Sequence, residues 1–261
     1  LRYPWGKWAY FEESSLVQVP VFMEGRILMN PLEEFLDRLY PPLSLIATGV
    51  ANDNAIVQRS VFIYGGMGEG KSAAALFLAR EAERRYGSNK VAVHIVAGEN
   101  FREALEKWER GKPVQVKIVE DLTNVEFNGR QGRQEIRDLF RIRHIMAQKA
   151  GVKEGLVVLV MTGHRLWNVP VAFRSDCDFI LWKSSPSNPW DMNMAKQFIG
   201  EEGLQQLQDS EKRRLTEPER RGDAYITHKM EQLGFTTVPK TAAPIFRTED
   251  SAVEEKVSIG L

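Results

Sequence analysis

Four glycines in six positions, closed by a lysine and a serine, stand in Tyr64-Gly65-Gly66-Met67-Gly68-Glu69-Gly70-Lys71-Ser72-Ala73. Glycine loses more backbone entropy on folding than any other residue, so a run this dense needs a structural reason. The flanks narrow it. Ser60-Val61-Phe62-Ile63-Tyr64 is short, apolar, and rich in β-branched and aromatic residues, which predicts a buried strand. Ala73 to Ala82 is strong helix-forming sequence. Glycines between a strand and a helix let backbone N–H groups curl around a phosphate while the helix N-terminus faces its charge. The spacing of Gly65, Gly70, Lys71 and Ser72 fits G-x-x-x-x-G-K-[ST]. In that pattern the lysine reaches the β- and γ-phosphates and the serine hydroxyl ligates Mg²⁺. ATP with Mg²⁺ is therefore expected on the residues from Gly65 through Ala73.

A phosphate loop of this kind needs an acidic group at the end of a neighbouring strand, to hold the metal and orient the attacking water. Val116-Lys117-Ile118-Val119-Glu120-Asp121 supplies two carboxylates at the end of an apolar run, with Lys117 interrupting it. Glu120 and Asp121 are the candidates for metal and water, with either one on the metal side. A second apolar run, Leu156 to Met161, ends in Thr162-Gly163-His164-Arg165. Thr162 and His164 are placed to touch a γ-phosphate or its water. Arg174 precedes another strand and is a candidate arginine finger; the alternative is pairing with Asp176 or Asp178. Cys177 has no His or Asp arrangement that suggests nucleophilic work and reads as packing.

Between 55 and 185 strand and helix patterns alternate, which is the α/β signature. Strands are expected near 60–64, 90–96, 114–119, 156–161 and 178–182, with helices at 100–110 and 134–150. Unbroken apolar runs such as Leu156-Val157-Val158-Leu159-Val160-Met161 suit parallel strands buried on both faces. Residues 1–54 form an N-terminal extension packing on the core, with a helix capped by Asn30 and Pro31 and an aromatic cluster at Tyr3, Trp5, Trp8, Tyr10 and Phe11. Residues 186–240 add a helix at about 192–214 and two late strands near 224–227 and 235–238. Residues 241–261 carry little pattern and read as a mobile tail. In the helix expected at 134–150, Arg133, Arg137, Arg141 and His144 recur at spacings of four, four and three, with Arg130 extending the row. They share one helical face, suited to DNA phosphate or an acidic neighbouring subunit, or simply to solvent.

The 35 basic and 35 acidic residues cancel, so no global positive field advertises nucleic acid, and a DNA contact must come from local patches. One cysteine in 261 residues excludes an intrachain disulfide framework and fits an intracellular, cytoplasmic setting. No apolar run approaches the length of a membrane span, and no signal peptide is visible. The chain begins at Leu1, which leaves room for residues upstream.

On these motifs the chain resembles the FtsK–HerA superfamily of P-loop ATPases, which includes DNA translocases and viral genome-packaging ATPases. Gly65 to Ser72 is similar to that family's G-x-T-G-x-G-K-S. Val119-Glu120-Asp121 stands where the family has Asp-Glu. Met161-Thr162-Gly163-His164-Arg165, followed by Val169-Pro170 and Arg174, is similar to its T-Q/H-R, I-P and arginine finger. Arg221-Gly222-Asp223-Ala224-Tyr225-Ile226 resembles its late strand. The resemblance spans about residues 55–240. It implies a P-loop NTPase fold, RecA/FtsK-like, with a mostly parallel sheet flanked by helices. It also implies a ring, often a hexamer, that pumps double-stranded DNA, with Arg174 acting across a subunit boundary. Two other readings stay open. One is an AAA+-like replication or partition ATPase with a helical lid drawn from residues 192–215. The other, kept alive by the Glu-Asp order, is a nucleotide-gated assembly protein with weak hydrolysis.

Overall fold

The computed structural model describes residues 22–23, 26–27, 30–48, 55–122, 134, 138, 141–165, 176–214, 216–229 and 231–239. The chain divides into two compact units, Leu1–Asn30 and Pro31–Leu261. In the first, Phe22–Met23 and Arg26–Ile27 pair as a short antiparallel ribbon. The aromatic cluster, Arg130, Arg133, Arg137, Val169, Pro170, Arg174 and residues 241–261 lie outside the described residues.

The second unit is α/β, as the alternating patterns predict. Its strands are β1 (Ala55–Tyr64), β2 (Val91–Ala97), β3 (Val114–Glu120), β4 (Glu154–Gly163), β5 (Phe179–Trp182), β6 (Asp223–His228) and β7 (Glu231–Thr237). They form one sheet in the order β2-β3-β4-β1-β5-β6-β7. The first five are mutually parallel, and β6 and β7 run antiparallel at one edge. The helices are α1 (Pro31–Leu39), α2 (Leu43–Thr48), α3 (Lys71–Tyr86), α4 (Phe101–Glu106), α5 (Ile142–Lys149) and α6 (Pro189–Arg213).

Alternation along the strands assigns each side chain to a face. Val61 and Ile63 of β1, Val116 and Ile118 of β3, and Val158 and Val160 of β4 share a core with Phe35 and Leu39 of α1, Ile46 of α2, Ala75 and Leu78 of α3, and Tyr40 between α1 and α2. The Phe35 and Phe179 rings meet edge-on at 4.9 Å. Phe62, Tyr64, Val119, Leu159, Met161 and Trp182 face the other way, against Phe101 of α4 and Ile199 and Leu207 of α6. Ile142 and Met146 of α5 cover Ile56 and Val157 on that second face. Helices 31–48 thus share one core with the glycine-loop strand.

Three helices differ from the pattern reading. The helix expected at 100–110 ends at Glu106, because Lys107 turns to extended backbone and Trp108 folds over Lys117. The helix ending at Lys149 starts at Ile142, with Arg141 as its N-cap at φ −102° and ψ 7°. Arg141 and His144 are both exposed, with Arg141 at the N-cap of the helix that carries His144; Gln134 and Asp138 upstream are also helical. Residues 189–213 form one helix kinked at Gly200 (φ 70°, ψ 177°), lying on the sheet rather than as a separate lid. Among the described residues no helix is long and apolar enough to cross a membrane. Cys177 is buried, and burial pushes its thiol up to about 12, which suits packing.

Lys117, mid-strand and fully buried, has its ammonium 3.9 Å from the Trp108 ring centroid and donates to the Lys107 carbonyl. Burial pushes its pKa down to about 7, with Glu109 pulling it back up. The unfolded chain holds this proton to about pH 10.4, so from about 7 upward the folded state binds fewer protons and stability rises with pH. Lys117→Met is therefore expected to stabilise the fold by about 1–3 kcal/mol near pH 6. That gain should shrink towards zero by about pH 10. Thermal melts of both chains across that range check it; a gain that does not vary with pH contradicts it.

Candidate nucleotide site

All five parallel strands end at one edge of the sheet, and in open α/β sheets ligands bind outside those carboxyl ends. Tyr64 ends β1 and pairs with Gly163 of β4 and Trp182 of β5. The glycine loop follows at once and runs into α3. Gly68 (φ 74°) and Gly70 (φ 76°) both take left-handed backbone, which explains why the loop spends glycine there. Gly70 caps α3, and its carbonyl accepts from the Ala74 amide at 3.0 Å. The earlier amides of a first helical turn, here through Ala73, have no intrahelical partner. They are donors suited to phosphate oxygens.

The Lys71 side chain folds back over the loop. Its ammonium donates to the Gly65 carbonyl at 2.9 Å and the Gly66 carbonyl at 2.7 Å. It also lies 2.9 Å from His164 Nδ1. That ring nitrogen also lies 3.0 Å from the Gly65 carbonyl, and the ring's Nε2 is 3.8 Å from Asp121 Oδ2. Lys71 is only 8% exposed. Burial pushes its pKa down, while Asp121 and then Glu120 pull it back up. Two carbonyls and an imidazole are weak substitutes for phosphate oxygens, so the lysine is placed to exchange them for a triphosphate.

The carboxylates come from the strand two places away. Val119 pairs with Met161, so Glu120 stands level with Thr162. Glu120 continues the alternation of Val116 and Ile118, which places it on the sheet face covered by α3. Thr162 continues that of Val158 and Val160 on the same face. Asp121 then turns at φ 55°, rare for a non-glycine residue. Its amide donates to Thr162 Oγ1 at 2.9 Å, which fixes the turn. Both carboxylates are half-buried and Ser72 is exposed at the head of α3.

The structure thus gathers Lys71, Ser72, Glu120, Asp121, Thr162 and His164 at one end of the sheet. Arg174 lies outside the described residues. Three polar groups against the loop carried no sequence signal. Ser184 Oγ accepts from the Gly66 amide at 2.9 Å, Lys183 Nζ donates to the Gly222 carbonyl at 2.7 Å, and Arg214 pairs with Glu69. Lys183 and Ser184 are neighbours and Arg214 sits in a charged run, and only the fold brings them here. Among the described residues no group of three His, Cys, Asp or Glu side chains is placed to hold a metal ion.

No family model matches this sequence, and no curated protein matches it. Solved structures similar in fold include the genome packaging NTPase B204 of Sulfolobus turreted icosahedral virus 2 in complex with sulfate. It shares 11% identity over 74% of this chain and 100% of that one, with a TM-score of 0.46. The DNA-packaging ATPase B204 of Sulfolobus turreted icosahedral virus shares 12% over 70% and 98%, with a TM-score of 0.43. The FIGL-1 AAA domain in complex with ADP shares 14% over 61% and 54%, with a TM-score of 0.38.

Proposed function

We propose that this chain is an ATP-hydrolysing motor that translocates or packages double-stranded DNA as a ring oligomer. One observation carries the ATPase part: a strand–glycine loop–helix unit brings Lys71 to one end of the sheet together with the strand-end carboxylates Glu120 and Asp121 and the Thr162 hydroxyl. The DNA and ring parts rest on the resemblance of these motifs, in this order, to FtsK–HerA ATPases.

In this reading the backbone from Gly65 through Ala73 cradles the phosphates and Lys71 neutralises the β- and γ-oxygens. Ser72 and Glu120, both on the α3 side, offer hard oxygen donors to Mg²⁺, which would supply charge neutralisation at the phosphates. Glu120 is thus the metal-side carboxylate. Asp121, turned out by its left-handed backbone, orients the attacking water and takes up its proton. Thr162 fixes that turn and His164 senses the γ-phosphate. Arg174 is the residue for a neighbouring subunit's nucleotide.

The test is steady-state hydrolysis with and without long double-stranded DNA, beside Glu120→Gln and Asp121→Asn. DNA is expected to stimulate turnover. Asp121→Asn is expected to lose about 10²-fold or more of kcat while retaining ATP binding, because only the water-activating group is gone. Glu120→Gln is expected to shift the Mg²⁺ requirement upward. Tight ATP binding with negligible turnover in every condition would overturn the motor reading. That result would favour the nucleotide-gated assembly protein, for which the Glu-Asp order and the strained Asp121 backbone are the supporting features.

A further inference from the structure

We infer that Glu69 and Arg214 are positioning residues of the glycine loop, and that the chain beyond β5 holds the loop in its phosphate-ready shape through them. The inference rests on the nucleotide reading for its purpose, but not for its geometry. Glu69 falls at a position the phosphate-loop pattern leaves open to any residue. Its Cβ lies 3.5 Å from where a Cβ on Gly65 would be, and its Cγ 3.6 Å from where one on Gly66 would be. The side chain therefore runs alongside the two loop glycines.

Arg214 immediately follows α6 and is 7% exposed. Its guanidinium pairs with the Glu69 carboxylate. The rest of the fork is anchored elsewhere: Nη2 donates to the Lys183 carbonyl at 2.5 Å and Nε to the Arg220 carbonyl at 3.2 Å. A planar guanidinium held by fixed backbone acceptors on two stretches is a rigid post, and Arg keeps its charge at any working pH. The loop meets the same part of the chain twice more. The Gly66 amide donates to Ser184 Oγ, and the Arg221 carbonyl stands 3.4 Å from where a Cβ on Gly70 would be. Position 66 is thus bonded to 184 and 69 paired with 214, while 70 lies beside 221, all three partners being C-terminal to β5. Ser185 extends the tie, donating from its amide and hydroxyl to Glu211 of α6 at 2.5 and 2.7 Å.

The loop's shape is read directly by hydrogen exchange of a peptide spanning residues 64–72 in the full chain without nucleotide. Arg214→Gln and Glu69→Gln are each expected to speed exchange in that peptide about tenfold, with β4 unchanged. The double variant should be no worse than Arg214→Gln alone, because the two residues share one interaction. Arg214→Lys keeps the charge but not the fork and should fall between. With ATP, the same variants should lose about tenfold in apparent affinity, with the larger share of the effect in KM rather than kcat. Wild-type exchange in the loop of both single Gln variants would overturn the inference. If Arg214→Gln does not fold, Glu69→Gln decides alone, since Glu69 keeps a quarter of its side chain in solvent. Should the wild-type chain bind no ATP, the nucleotide reading falls, while the loop-exchange comparison still decides this one.

Discussion

Lys71→Ala is expected to lower ATP turnover by about 10²–10³-fold or more and to leave the fold intact. Both halves follow from where the ammonium sits. Its ammonium donates to the loop carbonyls of Gly65 and Gly66, and it lies close enough to Glu120 and Asp121 for their charge to be felt. A triphosphate brings several negative charges to that point, and no other group in the described site replaces this cation. Stability is a separate matter. Burial already pushes the Lys71 pKa down, so the folded state carries a desolvation cost for it. Removing the side chain relieves that cost and frees two carbonyls to meet water. Thermal melts should therefore show a Tm equal to or above wild type while hydrolysis is lost. An active Lys71→Ala enzyme would mean that the chemistry lies elsewhere; an unfolded one would mean that the lysine is a structural strut.

Gly98→Ala is expected to destabilise the chain by about 1–3 kcal/mol. It should also cut turnover by roughly 10²-fold, although Gly98 carries no functional group. It opens the short turn after β2 and packs against the turn that carries the carboxylates. An added Cβ would stand 2.3 Å from the Asp121 carbonyl oxygen and 2.9 Å from that of Glu120. Both are backbone atoms, so the methyl cannot be accommodated by rotating a side chain. The turn must shift, and it is pinned on its far side by the Asp121 amide bonded to Thr162. Displacement of the carboxylates is the expected result. ATP binding should survive, because the loop is untouched. Wild-type turnover in Gly98→Ala would show that the position of the Glu120-Asp121 turn is not critical.

The sheet and its nucleotide edge were legible in the sequence because local signals agreed there. The run Leu156 to Met161 is apolar at every position, and the glycine loop has both a composition and a spacing. Helix limits were less legible. Residues 107–110 carry helix-compatible side chains, yet Trp108 leaves the helix to cover the buried Lys117, a tertiary demand that overrides propensity. The break at Arg141 has no glycine or proline to announce it. In α6 the kink does have a glycine, Gly200, but an isolated glycine in a helical pattern is tolerated often enough that it does not announce a bend. Glu69 and Arg214 were illegible for another reason. Each reads as an ordinary surface charge in its own stretch, and their pairing exists only once β5 has been laid beside β1.

The order of the strands also sets a width. β4 lies between the strand that launches the glycine loop and the strand that ends in Glu120. Neighbouring strands sit about 4.8 Å apart, so loop and carboxylates are about 10 Å apart across the sheet, with Thr162 at the floor between them. That gap is ruled by backbone hydrogen bonds. Substitutions along its rim can change its charge, its polarity and the groups that line it, but not its span. A chain descended from this one could exchange its acids, its sensor or its partner freely and still present a slot cut to the same gauge.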